Sequence, residues 1–196
     1  MRALGYATVR YAGGDRYETA IKIDEVGLGS PSSSVLATGI NFPDALSGGA
    51  PAAAFGGAIV LTAGPTLPAV SRNYLNAHPG RRFALGGPAA AADPTATAIV
   101  GVDRYDTARK VADTFFSGPT SVAVASGVNF PDALAGGAHI ARKPGPLLLT
   151  DPFSLSPATD QYVRANKSTI GVAFIYGGPA AVSDAVAAQV QADLSS

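Results

Sequence analysis

The phrase "NFPDALSGGA" at 41–50 returns at 129–138 as "NFPDALAGGA", with one residue changed and an offset of 88. A repeat at fixed period sets the architecture before any local motif is read, because each copy is a structural unit that must be explained once. The same offset carries Asp15-Arg16-Tyr17 onto Asp103-Arg104-Tyr105, Thr19-Ala20 onto Thr107-Ala108, Leu61-Thr62 onto Leu149-Thr150 and Tyr74 onto Tyr162. Farther on, "LGGPAA" (85–90) meets "YGGPAA" (176–181) at an offset of 91, which places three extra residues near 166–169 of the second copy. The chain is a tandem duplication, and 8–96 and 97–196 are the expected units. Between the matched islands the copies have drifted, as "IKIDEVGLGSPSS" against "RKVADTFFSGPTS" shows. A shared constraint has held the islands.

Within the first copy, "TVRYAGG" (8–14), "SVLATG" (34–39), "AIVLT" (58–62) and "RRFALGG" (81–87) read as short strands ending in turn residues. The intervening "DRYETAIKIDEVG", "NFPDALSGGAPAAAFG" and "LPAVSRNYLNAHP" have helical length and apolar spacing. The second copy repeats the order with "ATAIVGV", "SVAVASG", "PLLLT" and "VAFIYGG", and closes on the helix "SDAVAAQVQADL". Strands alternating with helices predict an α/β class, with a mostly parallel sheet in each copy and helices on both faces. The matched islands begin at strand carboxyl ends and run into helices, the rim along which open parallel sheets bind ligands.

Charged residues make up only 14% of the 196, against about 25% in an ordinary soluble domain. So much uncharged surface predicts packing of the copies on each other or on further subunits. Net charge is zero and no Lys/Arg run occurs, which excludes the backbone electrostatics of nucleic-acid binding. No apolar run reaches the roughly 18–20 residues of a membrane span. "MRALGYATVRYAGG" lacks the apolar core of a signal peptide, so an exported protein would carry its leader outside this sequence. The absence of Cys removes disulfides, thiol nucleophiles and thiolate metal sites together.

Asp15-x-x-Glu18, Asp103-x-x-Asp106, Asn41-x-x-Asp44 and Asn129-x-x-Asp132 all have the spacing of a helix cap and its third helical residue. Pro43 and Pro131 fit a first helical turn, where a missing N–H costs little. Capping is the reading these positions favour, with a direct ligand role for Asp44 and Asp132 as the alternative. Arg16 and Arg104 stand at helix heads, where the dipole prefers acids, so each needs a specific partner. That partner is either a carboxylate such as Asp44 or Asp132, or an anion on the rim gripped by a planar bidentate donor. Gly pairs at 13–14, 86–87 and 177–178 permit tight turns, but neither G-x-G-x-x-G after a strand nor G-x-x-x-x-G-K-[ST] occurs. No cofactor is called for. His78 and His139 have no duplicates, and no nucleophile elbow, H-E-x-x-H or metal-spaced His cluster is present, so the chain reads as no enzyme. A hydrolase built on Asp44 or Asp132 is the catalytic alternative.

The order "DRYETA", "TGINFPDALSGGA", "AIVLT" and "GG" before a helix is similar to the cell-wall-binding repeat 2 family, over essentially the whole of both copies. The resemblance implies a Rossmann- or Toprim-like fold for each repeat. It implies a non-catalytic module of exported bacterial surface proteins, S-layer-associated ones among them, that holds its passenger to an anionic wall polymer. The partner expected is a teichoic-acid-like or phosphorylated polysaccharide. The family's binding Arg maps onto Arg16 and Arg104, and its apolar strand onto Ile59-Val60-Leu61 and Leu147-Leu148-Leu149. That strand's apolar character suits support of a site. The expected contact set is thus Arg16, Arg104, Asp44, Asp132, Asn41 and Asn129. Members with three repeats pack them about a pseudo-threefold axis; with two repeats here, a homo-oligomer or surface assembly is the alternative reading.

Overall fold

Ser34–Thr38 (β1) and Ser121–Ser126 (β5) are buried along their whole length, the pattern of a strand covered on both faces. Each is the centre of a parallel sheet. The computed structural model describes residues 7–41, 43–143 and 145–196. In the first sheet β1 lies between Ala58–Thr62 (β2) and Arg82–Leu85 (β3), with Thr97–Ile99 (β4) beyond β3. In the second, β5 lies between Leu147–Thr150 (β6) and Val172–Tyr176 (β7). All ladders are parallel. The tandem α/β reading is therefore the architecture found.

Two local expectations are corrected. Residues 8–14 are no strand, whereas their counterpart β4 extends the sheet of the first copy, pairing Phe83 with Thr97 and Leu85 with Ile99. A strand exists only where an edge accepts it, and β3 supplies that edge to β4. The expected helix 41–56 is split into α2 (Pro43–Leu46) and α3 (Gly49–Phe55), while its counterpart α7 (Pro131–Ile140) runs unbroken. The one changed residue of the repeated phrase sits at the break. The stronger cause lies just beyond the phrase: Pro51 has no N–H for the Ser47 carbonyl and its ring crowds that carbonyl, whereas its counterpart His139 lets the helix run on; the Ser47 hydroxyl, donating to the Asp44 carbonyl at 3.0 Å, adds a weaker local competitor. The three-residue insertion falls in the turn after α8 (Pro157–Ala165), before β7 and away from the rim.

The helix α6 (Arg104–Phe115) belongs to the second copy by sequence and to both in space. Its Ala112 packs with Val122, Leu148 and Tyr162, and its Ala108 with Leu147 and Leu149. A third face carries Val111 into the first sheet, among Val35, Ala52, Leu85 and Ile99. Phe115 joins Phe55 and Phe83 there, with ring centroids 4.8 to 5.8 Å apart. In return, Leu46 of α2 and Ala50 of α3 fill the groove between α6 and α7 above β6. Each large side chain buried this way contributes about 1.5–3 kcal/mol, more than the ~0–1 kcal/mol of an exposed ion pair. Apolar burial therefore joins the copies.

α1 (Arg16–Lys22) continues as a π-helical turn, Ile23–Gly27, that drops Asp24 into the interior. Asp24 Oδ1 accepts weakly from the Ile59 N–H at 3.4 Å, and Oδ2 is buried without a partner. Burial pushes this carboxyl up to about 7, the Ile59 N–H opposing and nearby Glu25 adding. The counterpart of Asp24 is Ala112. With its folded value above its unfolded one, the folded chain binds more protons than the unfolded chain between about pH 4 and about pH 7, so stability falls as pH rises through that window. Asp24→Ala is expected to flatten this decline and to stabilise the chain above about pH 7 by on the order of 1–3 kcal/mol, read from urea midpoints across pH.

Candidate functional site

Both copies build the same loop at a helix head. Asp15 Oδ1 accepts from the Glu18 N–H and Asp103 Oδ1 from the Asp106 N–H, each at 2.8 Å. The acids three residues on reach back, Glu18 to the Gly14 N–H at 2.6 Å and Asp106 to the Val102 N–H at 3.1 Å. These are reciprocal capping boxes. Thr19 and Thr107 add a tie each, accepting from the Gly13 and Gly101 N–H groups at 3.0 and 3.1 Å. Asn129 does not cap α7: the cap position is Phe130, with Pro131 opening the helix. Asn41, at the matching place, is exposed; residue 42 lies outside the described residues.

On this frame the two arginines are held alike. Arg16 Nη1 donates to the Gly39 carbonyl at 2.5 Å and Arg104 Nη1 to the Gly127 carbonyl at 2.6 Å, both at the carboxyl ends of central strands. Their stems cross Gly39 and Gly127, where an added Cβ would stand 3.2 Å from the Arg Cδ in each copy. No carboxylate lies within 4.0 Å of either guanidinium among the described residues. The structural ion pair is thus not made, and donors of both side chains remain free to face the rim.

The copies contribute to one shared site. A rim cavity of about 430 Å³ is lined by Thr38, Asn41, Asp44 and Gly86 of the first copy and by Asp103, Arg104 and Thr107 of the second. Burial raises the Asp44 carboxyl, while a hydrogen bond from Thr107 and the charge of Arg104 pull it back. Asn129, Asp132 and Arg16 are not among the walls of this cavity. Asp132 occupies the equivalent seat on Gly177 that Asp44 has on Gly86. Of the apolar strands, β6 is wholly buried, whereas Ile59 and Leu61 border a separate apolar groove of about 570 Å³ between α1 and α3. Thr107 carries no motif of its own. Its one signal was its match to Thr19 within the repeat.

Gly86 has φ +80°, and a Cβ on it would come within 2.0 Å of the Asp44 carboxylate. Gly86→Ala is expected to cost about 1–3 kcal/mol and to displace Asp44. Gly87→Ala, where an added Cβ meets nothing within 4 Å, is the near-neutral control in the same thermal melts.

The family model for cell wall binding domain 2 matches residues 10–95 and 98–187. The N-acetylmuramoyl-L-alanine amidase LytC of Bacillus subtilis (strain 168) is 27% identical over 199 residues, covering 97% of this chain and 39% of that protein. Among solved structures, Cwp6 from Clostridium difficile superposes with a TM-score of 0.82 at 22% identity, over 93% of this chain and 31% of its own. Cwp8 from the same organism gives 0.80 at 22%, over 95% and 33%. The chain thus spans about two-fifths or less of these relatives. Two matched regions, meeting at the start of β4, account for nearly all of it: the chain belongs to the cell wall binding domain 2 family, as a tandem pair of cell-wall-binding, surface-associated repeats.

Proposed function

We propose that this tandem module is non-catalytic and anchors an exported bacterial protein to an anionic wall glycopolymer, teichoic-acid-like or a phosphorylated polysaccharide. The observation that carries the reading is Arg104, pinned to the Gly127 carbonyl at one corner, free of any carboxylate within 4.0 Å among the described residues, and facing the cavity shared by the copies. A guanidinium so held presents its remaining donors in a fixed plane, which suits a phosphate or carboxylate oxygen pair. Asp44, which accepts a hydrogen bond from Thr107, completes a polar wall with Asn41 beside the guanidinium. Asp103, the other acid of the cavity, is occupied as a helix cap, which disfavours a paired-carboxylate hydrolase. Arg16, Asn129 and Asp132 form half-sites of the same design at the two ends of the module. Self-association as a homo-oligomer is the second reading, favoured by apolar side chains left exposed at those ends.

Co-sedimentation with purified bacterial walls, before and after acid extraction of anionic polymers, tests the anchoring. Arg104→Ala is expected to weaken binding by about 10–100-fold, Arg104→Lys to restore part of it, and Arg16→Ala to cost less than Arg104→Ala. Added salt should weaken binding of the unmodified chain. Retention unaltered by Arg104→Ala in a folded protein, or glycan turnover that depends on Asp44, overturns the reading.

A further inference from the structure

The rim cavity carries opposite charges that do not meet. Its charged walls are two carboxylates, Asp44 and Asp103, and one guanidinium, Arg104. The fold anchors each of them. Arg104 spends Nη1 on the Gly127 carbonyl, and its stem crosses Gly127, where an added Cβ would stand 3.2 Å from Cδ. Asp44 sits over Gly86, where an added Cβ would come within 2.0 Å of the carboxylate, and it accepts the Thr107 hydroxyl proton. Thr107 is itself oriented, because its oxygen accepts from the Gly101 N–H at 3.1 Å. The charge of Asp103 is met by the helix head it caps, through the Asp106 N–H at 2.8 Å. The charge of Asp44 has no cation within 4.0 Å among the described residues, although Arg104 is near enough to pull its carboxyl down. A carboxylate offers about four lone-pair sites, and Thr107 fills one of them.

A ligand that is only anionic suits Arg104 and is repelled by Asp44. In a half-buried cavity screening is weak, so this like-charge cost works against the same phosphate that the guanidinium attracts. A ligand that also brings a cation to Asp44 turns both interactions favourable and gives the partly desolvated carboxylate a counter-charge. We propose that the cavity recognises a zwitterionic unit of the wall glycopolymer, an unacetylated amino sugar bearing a phosphate: the phosphate lies on Arg104 of the second copy and the ammonium on Asp44 of the first. This rests on the anchoring reading above and adds the charge that selects among anionic polymers. The ammonium has three donors for the remaining lone pairs of Asp44. The Asn41 amide is left for sugar hydroxyls, as is the Thr38 hydroxyl, which accepts from the Ile40 N–H at 3.2 Å and keeps its own proton to donate. At about 430 Å³ the cavity lies toward the small end of the roughly 300–1,000 Å³ usual for ligand pockets, which suits one sugar with its phosphate. The two anchors come from different copies, so this selection exists only where copies are joined.

Calorimetric titration of the unmodified chain with glucosamine 6-phosphate, glucose 6-phosphate and N-acetylglucosamine 6-phosphate, at a pH that keeps the amine protonated, reads the preference. The amine is expected to bind about 10–100-fold more tightly than the hydroxyl, and the uncharged acetamide no better than the hydroxyl. Asp44→Asn keeps the size of the side chain and its seat over Gly86, and melting curves check its fold. It is expected to erase the preference and to bind glucose 6-phosphate about 3–10-fold more tightly, since the repulsion is gone; a purely structural Asp44 would give no such gain. Arg104→Ala is expected to lose all three sugars. Equal affinity for amine and hydroxyl in the unmodified chain, an acetamide that binds as well as the amine, or a preference that survives Asp44→Asn overturns the zwitterion, while dependence on Arg104 leaves the anchoring reading standing. Binding of none of the three, or binding indifferent to Arg104→Ala, removes that reading and this one with it.

Discussion

The packing of α6 against both sheets is the contact on which the rest of the molecule depends. Val111 and Phe115 insert among Val35, Leu85, Phe55 and Phe83, and Ala108 and Ala112 rest on β5 and β6. Small residues on two faces let the helix approach its own sheet, while large ones on the third reach the neighbouring copy. The reciprocal insertion of Leu46 and the pairing of β4 with β3 close the joint from the other side. Three independent contacts of this kind fix the orientation of one copy against the other.

That orientation makes the rim cavity. Its walls come from the ends of β1 and β3 and from the head of α6, so Asp44 and Arg104 meet only because α6 crosses to the first sheet. An isolated copy holds a capped helix head with its Arg, and elsewhere an Asn and Asp on the rim, but not the cavity between them. The repeated phrase therefore serves two purposes: its Pro and Asp open a helix and seat a carboxylate on Gly86 or Gly177, and its Leu and Ala supply the apolar face that joins copies.

Where the copies differ, position in the array explains much of the difference. Leu147 and Leu149 of β6 are sealed beneath Leu46 and Ala50, whereas Ile59 and Leu61 of β2 remain half-buried beside an open groove. Asp24 stands where the second copy has Ala112, so one core carries a titrating carboxyl and the other a methyl group. Pro51 against His139 breaks the first copy's helix four residues back, at its Ser-Gly-Gly run, and leaves the second copy's helix whole.

The duplication, the alternation of strands and helices, the parallel sheets, the rim as the place of the matched residues and the capping role of Asp15 and Asp103 were all legible in the order of residues. Each of these is local or periodic: a side chain's reach to a backbone N–H, a run of apolar residues, an offset of 88. That β4 pairs with the first sheet, that residues 8–14 form no strand, and that Arg104 lies near Asp44 rather than Asp132 came from packing. Those outcomes hang on which edge and which groove lie within reach once the copies pack. Two identical phrases carry no record of which neighbour each will have, so burial at the joint gives them different surroundings.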